Sequence, residues 1–333
     1  MKYSLDKLAS LRLTLVGMIG VVVVALVASR SAAISTDLTA IPIALLAINL
    51  FAAICVNNTF RHQIGLLVFH VCLLFVVLLI GLSMLLRFDG RVELVEGESF
   101  AAAAVTETAR GAWHPERLTE IEFSQGIVEV DYLPGGVRQA THSVLAVPGS
   151  TSVLTVGDRE AAVFDGYRFL ATFNKGFALV VDWASPDGEV QRGAINFPSY
   201  PEFEWKQVNT WTTPAGQVLE LELLLALQPA RDEAWVLRAS KRDFTLKIST
   251  TGDTVRTLGS GEVLRLRDGT LRIEGLRMWM GYRISFDPLL PWIFATAMLA
   301  LIALAFHFQE KCWPQRERGR VRAGERNVHL SSN

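Results

Sequence analysis

Residues 64–86 read IGLLVFHVCLLFVVLLIGLSMLL, and the placement of this stretch decides the fold. Its 23 residues include no Asp, Glu, Lys or Arg and only one ionisable imidazole, His70. As a helix the stretch rises about 34 Å, enough to cross a hydrocarbon core of roughly 30 Å. An imidazole inside such a span is costly unless it pairs with something, so its position alone makes it a functional-site candidate.

Three further uncharged runs flank it, from Leu13 to Ser29, Thr39 to Val56 and Pro288 to Gln309. The first follows Lys2, Lys7 and Arg12, and small residues come after it, so a cleaved signal peptide competes with a retained helix. The run is long for a signal core and two more spans follow closely, which favours retention. Four membrane helices are therefore expected, near 11–29, 39–57, 64–86 and 287–309. Lys and Arg cluster before the first run, at Arg61, and beyond the last run at Lys311 and arginines 316, 318, 320, 322 and 326. With four spans these flanks share one side, the cytoplasm, and both termini lie there with a basic tail at 310–333. Trp279, Tyr282, Trp292 and Trp313 bracket the last span as interfacial anchors would.

Between Leu86 and Asp287 the composition changes to that of an ordinary soluble domain. Residues 87–286 carry 21 basic and 27 acidic side chains. The whole chain balances 32 basic against 33 acidic groups, so net charge points to no nucleic-acid partner. The cysteines are Cys55, Cys72 and Cys312, so this middle region holds no disulfide, no thiol chemistry and no Cys-x-x-Cys-His attachment site. Alternation at Val128, Val130 and Tyr132, and at Leu219, Leu221 and Leu223, reads as β-strands. Leu264–Arg267, Asp268-Gly269 and Thr270–Glu274 read as a hairpin with a type I′ turn. Pro134-Gly135-Gly136, Pro186-Asp187-Gly188 and Thr251-Gly252-Asp253 are further turn signals. The expectation is an extracytoplasmic β-rich, sandwich-like domain between helices three and four.

Few residues carry a chemical signature. His70 lies about 9 Å into the membrane from the inner end of its span, and imidazole is a good ligand for haem iron. Two readings stay open: an iron ligand, or a histidine hydrogen-bonded to a neighbouring helix, for example through Asn49. His307, near the inner end of the last span, is a weaker ligand candidate, with an interfacial role favoured. His62 reads as a solvated loop residue, and Cys72 and Cys55 as small apolar core residues. His114 and His142 stand alone, without metal-ligand spacing, and Trp113-His114-Pro115 reads as a surface loop. Phosphate-loop, Gly-x-Ser-x-Gly and His-Glu-x-x-His motifs are absent, and no carboxylate pair is singled out.

Three stretches give the chain a family resemblance: LASLRLTLVGMIG at the start, GLLVFHVCLLFVVLLIG in the third span, and GYRISFDPLLPWIFATAMLALIALAFHF with Asp-Pro before the last helix. With its layout of three helices, a large β-rich domain and a closing helix, the chain resembles the ResB/CcsB family of cytochrome c biogenesis proteins. Leu289 stands where the family often has Gly after Asp-Pro, Ala297, Ala300 and Ala303 are the small residues of the last helix, and the outer domain is shorter than usual. The resemblance implies a multi-pass protein of the bacterial cytoplasmic membrane, working in System II with a CcsA/ResC-type partner. It implies that His70 is an axial ligand to haem b, paired with a histidine of that partner, and that the haem goes to apocytochrome c. The Trp-rich haem-handling motif of the attachment subunit is absent, so thioether formation is not expected of this chain alone. A non-catalytic membrane-anchored scaffold of an envelope or respiratory complex is the alternative, and an electron-transfer cytochrome b subunit a weaker third.

Overall fold

The structure is a computed structural model that describes residues 2–30, 36–151, 153–214, 216–225, 232–250 and 255–329. Side chains at 2–4, 29, 36–37, 61, 241, 250, 310 and 312–329 fall outside that description, as do all atoms of the expected turn at 251–253. The chain divides into two compact units. One joins Met1–Phe88, Ala109–Pro115 and Asp287–Asn333 and is helical; the other joins Asp89–Thr108 and Glu116–Phe286 and is built from strands.

The helical unit contains α1 (Lys2–Leu8), α2 (Leu11–Arg30), α3 (Ala40–Val56), α4 (Asn58–His62), α5 (Ile64–Leu86) and α6 (Leu290–His329). Helix is the form an apolar segment must take in lipid, because each backbone polar group then finds its partner within the segment. Three helices hold segments long and apolar enough to cross a membrane: Leu11–Ala28, Ile64–Leu86 and Leu290–Gln309. α3 is apolar but has 17 residues, about 26 Å of rise. α6 does not stop at the end of its apolar part but continues to His329.

Local chemistry sets the helix ends. Asn57 accepts from the Thr59 amide at 3.0 Å and caps α4. Asp287 accepts from the Leu289 amide at 3.1 Å through one carboxylate oxygen and from Ser83 on α5 at 2.8 Å through the other. Pro288 and Pro291 fall where a helix start loses nothing by lacking an N–H. Asn49 fixes the corner between α1 and α2. It receives the Thr14 hydroxyl at 2.7 Å and donates to the carbonyls of Leu8 (2.6 Å) and Ser10 (3.1 Å).

The β unit begins with β1 (Phe88–Val95), β2 (Thr106–Arg110), β3 (Ser124–Tyr132), β4 (Arg138–Ala146) and β5 (Val153–Gly157). Then come β6 (Ala162–Phe164), β7 (Tyr167–Ala184), β8 (Val190–Ser199), β9 (Val208–Thr212) and β10 (Val218–Leu225). The last are β11 (Trp235–Leu237), β12 (Phe244–Thr250), β13 (Arg256–Leu258), β14 (Val263–Leu266) and β15 (Gly269–Phe286). They form three sheets. The largest runs β2-β1-β15-β7-β6, with β14 added to β15 and β8 to β7; the others run β13-β12-β10-β9 and β11-β3-β4-β5. Every ladder between described strands whose register is known is antiparallel.

The alternations expected from sequence point inward as read. Leu219, Leu221 and Leu223 are buried, with Leu221 opposite Ile248 and Leu223 opposite Leu246. Val128, Val130 and Tyr132 are buried on β3. Phe100, Phe123 and Phe169 form an aromatic cluster with Phe164, with ring centroids 5.0–5.6 Å apart.

Two expectations are corrected. The hairpin pairs Leu266 with Gly269, so its turn residues are Arg267-Asp268, one position earlier than expected, and neither has the positive φ of a type I′ turn. Gly269 is instead the first residue of β15, where an added Cβ would stand 2.3 Å from the Trp183 ring. The glycine answers to a tryptophan packed on the backbone. Trp279 and Tyr282 are not interfacial anchors either: β15 carries them into the β unit at 3% and 1% exposure. The Trp279 indole donates to the Phe197 carbonyl at 2.9 Å. Trp292 is exposed at 65%, and the Trp313 side chain lies outside the described residues.

Candidate functional site

His70 sits in the second turn of α5, half-buried. Its Nδ1 is 2.8 Å from the carbonyl of Leu66, four residues back on the same helix. A carbonyl can only accept, so Nδ1 carries a proton, and in the neutral ring Nε2 then presents a lone pair. Phe60 lies against the ring at 4.3 Å between centroids and Phe69 meets it edge-on at 5.1 Å. Three contacts thus fix tautomer and orientation, the arrangement that metal-ligating histidines obtain from a carbonyl or carboxylate behind them. The alternative partner, Asn49, is committed to Thr14, Leu8 and Ser10 and makes no bond to His70.

His307 is buried at 7% exposure on α6, packed against α5. The contact point is Gly65, where an added Cβ would be 2.9 Å from the His307 Cβ and 3.1 Å from its Cα and N. Five residues separate Gly65 from His70, a net rotation of about 140° on a helix of 3.6 residues per turn. His307 therefore packs against a different face of α5 from the one that carries His70, and it marks a close crossing of α5 and α6. His62 is exposed on α4. Cys72 is buried, Cys55 exposed, and the Cys312 side chain lies outside the described residues.

Trp113-His114-Pro115 is more than a surface loop. Residues 109–115 fold over the carboxyl end of α5: Trp113 N donates to Leu85 O at 2.7 Å and Gly111 N to Arg87 O at 2.9 Å. His114 Nδ1 is 3.0 Å from Leu86 O, and the ring stacks on Phe88 at 5.1 Å. These bonds satisfy carbonyls that a helix end leaves without partners. Trp113 itself is 63% exposed. His142 lies on β4 with Nε2 3.3 Å from an Asp131 carboxylate oxygen, in contact with solvent.

The β unit holds two buried polar groups that the sequence did not mark. The Tyr282 hydroxyl donates to Gln125 Oε1 at 2.6 Å and lies 2.5 Å from the Ser143 hydroxyl, while Gln125 Nε2 donates to Ser143 at 2.7 Å. Burial pushes the Tyr282 phenol up to about 12. Lys175 on β7 is 2% exposed, and its ammonium reaches only the Phe173 carbonyl, at 3.4 Å. Burial, aided by the Arg138 charge and opposed by Asp158, brings it down to about 8. Arg138 is held by Asp158 at 2.6 Å and lies over the exposed Phe173 ring. Lys175 lies opposite Met280 on β15 and continues the inward alternation of Phe177, Leu179 and Val181, but a lysine at that position gives no sequence signal of burial.

Among the described residues no group of three or more His, Cys, Asp or Glu side chains gathers as a metal site. One imidazole with an oriented ring and a lone pair can supply a single axial ligand to an iron already held by a porphyrin. No protein-family model matches the chain, and no curated protein matches it.

Proposed function

We propose that this chain is the membrane subunit of a System II cytochrome c maturation complex, helping to carry haem b across the membrane and present it to apocytochrome c. The haem is cargo. His70 Nε2 supplies one axial ligand, and a CcsA/ResC-type subunit supplies the other. The chain crosses the bacterial cytoplasmic membrane four times, α3 included, with both termini inside and the β unit outside. Trp113 and Trp292, exposed at 63% and 65%, are the outer interfacial aromatics on this reading.

The observation that supports it best is the 2.8 Å contact between His70 Nδ1 and the Leu66 carbonyl inside an uncharged helix. That bond leaves Nε2 as an acceptor in surroundings of Phe and Leu, where an unpaired polar atom is costly. An iron ligand bond removes the cost. His307, on α6 against another face of α5, is left out of the ligand set and assigned to helix packing.

The test is the absorption spectrum of the chain purified with its membrane partner, wild type beside His70→Ala. The expected result is a Soret band in the wild-type complex, lost in the variant and partly restored by imidazole. A colourless wild-type complex removes the haem reading and leaves the membrane-anchored scaffold, in which His70 is a packing residue bonded to its own helix. Equal haem in wild type and variant removes His70 from the mechanism.

A further inference from the structure

Among the described residues, the His70 ring is held by one hydrogen bond and two ring contacts, and only one of these comes from outside α5. Leu66 and Phe69 belong to the helix that bears the histidine and move with it. Phe60 belongs to α4, the five-residue helix between α3 and α5. A non-helical residue parts α4 from each long helix: Asn57 at φ −81°, ψ 110° and Gln63 at φ −127°, ψ 87°. α4 is therefore a separate piece of backbone laid against the histidine.

The sequence of α4 suits that single contact. Asn58, Thr59 and His62 are exposed, whereas Phe60 is buried at 8% exposure. The Asn57 side chain accepts from the Thr59 amide at 3.0 Å, and the Asn57 carbonyl accepts from the Phe60 amide at 3.3 Å. So short a helix is not held by its own backbone bonds, so the cap and the burial of Phe60 keep it in place. The buried ring then meets the imidazole at 4.3 Å between centroids with a tilt of 42°.

The histidine needs such a contact. Its outer torsion is broad and roughly two-fold, so the ring has alternative orientations. One hydrogen bond favours a single orientation by only about two- to tenfold. A large ring packed from a second element supplies the restraint that the Leu66 bond lacks.

We propose that Phe60 is the positioning residue of His70, and that α4 sets how firmly the histidine holds iron. Haem can then be taken up and given up by seating or lifting Phe60, with α5 unmoved. The consequence for iron rests on the haem reading; the hold on the ring does not.

The test has two readouts. The first uses the chain alone in detergent micelles, isotope-labelled at the histidine nitrogens, at about pH 8, where an ordinary imidazole is neutral. The His70 resonances are those missing from His70→Ala. The wild type should show one tautomer, protonated at Nδ1. Phe60→Leu, which keeps α4 apolar and buried, should draw the two ring nitrogens together in shift as the tautomers exchange. The second readout is the rate at which the complex with the membrane partner loses haem to excess haem-free globin. Phe60→Leu should lose it about tenfold faster, the low end of what removing a group behind a metal-bound histidine costs. Asn57→Ala touches no part of His70 and should be about threefold faster through loss of the cap on α4. Phe60→Tyr keeps the ring and should recover the wild-type rate, and all variants should keep wild-type helical circular dichroism. Wild-type resonances in Phe60→Leu overturn the inference, as does a wild-type rate of haem loss in Phe60→Leu or in Asn57→Ala. A colourless wild-type complex overturns the haem reading and the role of α4 toward iron, and the resonances then decide the hold on the ring.

Discussion

Replacing Lys175 by Met tests how the interior of the β unit is built. Lys175 is 2% exposed and its ammonium has one long contact, 3.4 Å to the Phe173 carbonyl, with no carboxylate bonded to it. Its proton is released at about 8 in the folded protein, against the ordinary 10.5 of an unfolded chain. Below pH 8 the amine is charged in both states and the whole burial cost stands. Between pH 8 and 10.5 the unfolded chain binds more protons than the folded one, so stability rises with pH across that window. A fall of this size corresponds to about 3 kcal/mol at neutral pH. Lys175→Met keeps the length of the side chain and removes the charge. It should stabilise the β unit by about 2–3 kcal/mol at pH 7, with the gain shrinking as pH approaches 10. Guanidinium unfolding followed by Trp emission reads this directly, because five of the eight tryptophans lie in the β unit. A variant less stable than wild type at both pH 7 and pH 9.5 refutes the reasoning, since Lys175 would then have a partner worth more than its desolvation.

Other outcomes follow from single contacts. Tyr282→Phe strands Gln125 Oε1 in a buried network and should cost about 1–3 kcal/mol in the same unfolding experiment. The wild type should lose stability as pH rises from 10 through 12, because burial holds the Tyr282 and Tyr132 phenols at about 12 and the unfolded chain ionises first; alkaline unfolding curves that ignore this window contradict the burial. Gly269→Ala places a Cβ 2.3 Å from the Trp183 ring and should cost about 1–3 kcal/mol, seen as an earlier thermal transition. Gly65→Ala pushes α5 away from His307 on α6 and should lower the temperature at which the detergent-solubilised protein loses helical circular dichroism.

What the sequence disclosed follows from how far each signal reaches along the chain. Uncharged runs of about 20 residues have one main use, so the long helices α2, α5 and α6 were readable without a structure. Alternation at period two was equally plain in β3 and β10, where one face is buried and the other carries Glu and Asp. The 267–269 turn misled because Asp-Gly is the preferred hairpin dipeptide, and the reason for Gly269 is a ring contributed by Trp183, 86 positions away. Trp279 and Tyr282 misled for a related reason. Aromatics near an apolar span suggest an interface, yet β15 runs unbroken to Phe286 and keeps them in a protein core. Lys175 was invisible: a lysine carries no apolar signal, yet it keeps the inward alternation of Phe177 and Leu179 and lies opposite Met280.

At the candidate site the sequence supplied the residue and the structure supplied its hydrogen bond. A histidine in a lipid-spanning helix has two polar nitrogens to satisfy. The Leu66 carbonyl accepts a hydrogen bond from Nδ1–H, sharing that acceptor with its own helical bond. Nε2 is different, because the helix offers donors only through backbone N–H groups already used in its own ladder. A neighbouring Asn could have served, and Asn49 is occupied at the corner of α1 and α2. The remaining ways to satisfy Nε2 are water, a group from another chain, or a metal. Leaving it unpaired costs about 1–3 kcal/mol, roughly the difference between His and an apolar residue of similar volume at this position. Water in the region would serve a scaffold as well as a haem carrier, but it would not need the ring fixed on one side by Phe60 and on another by Phe69. A metal-ligating histidine is likewise held in orientation by the groups around it. His70→Gln separates these cases. Its amide can bond water or a neighbouring chain in place of imidazole, so a structural role predicts near-normal assembly with the partner and unchanged heat stability. A ligand role predicts intact assembly with the Soret band gone.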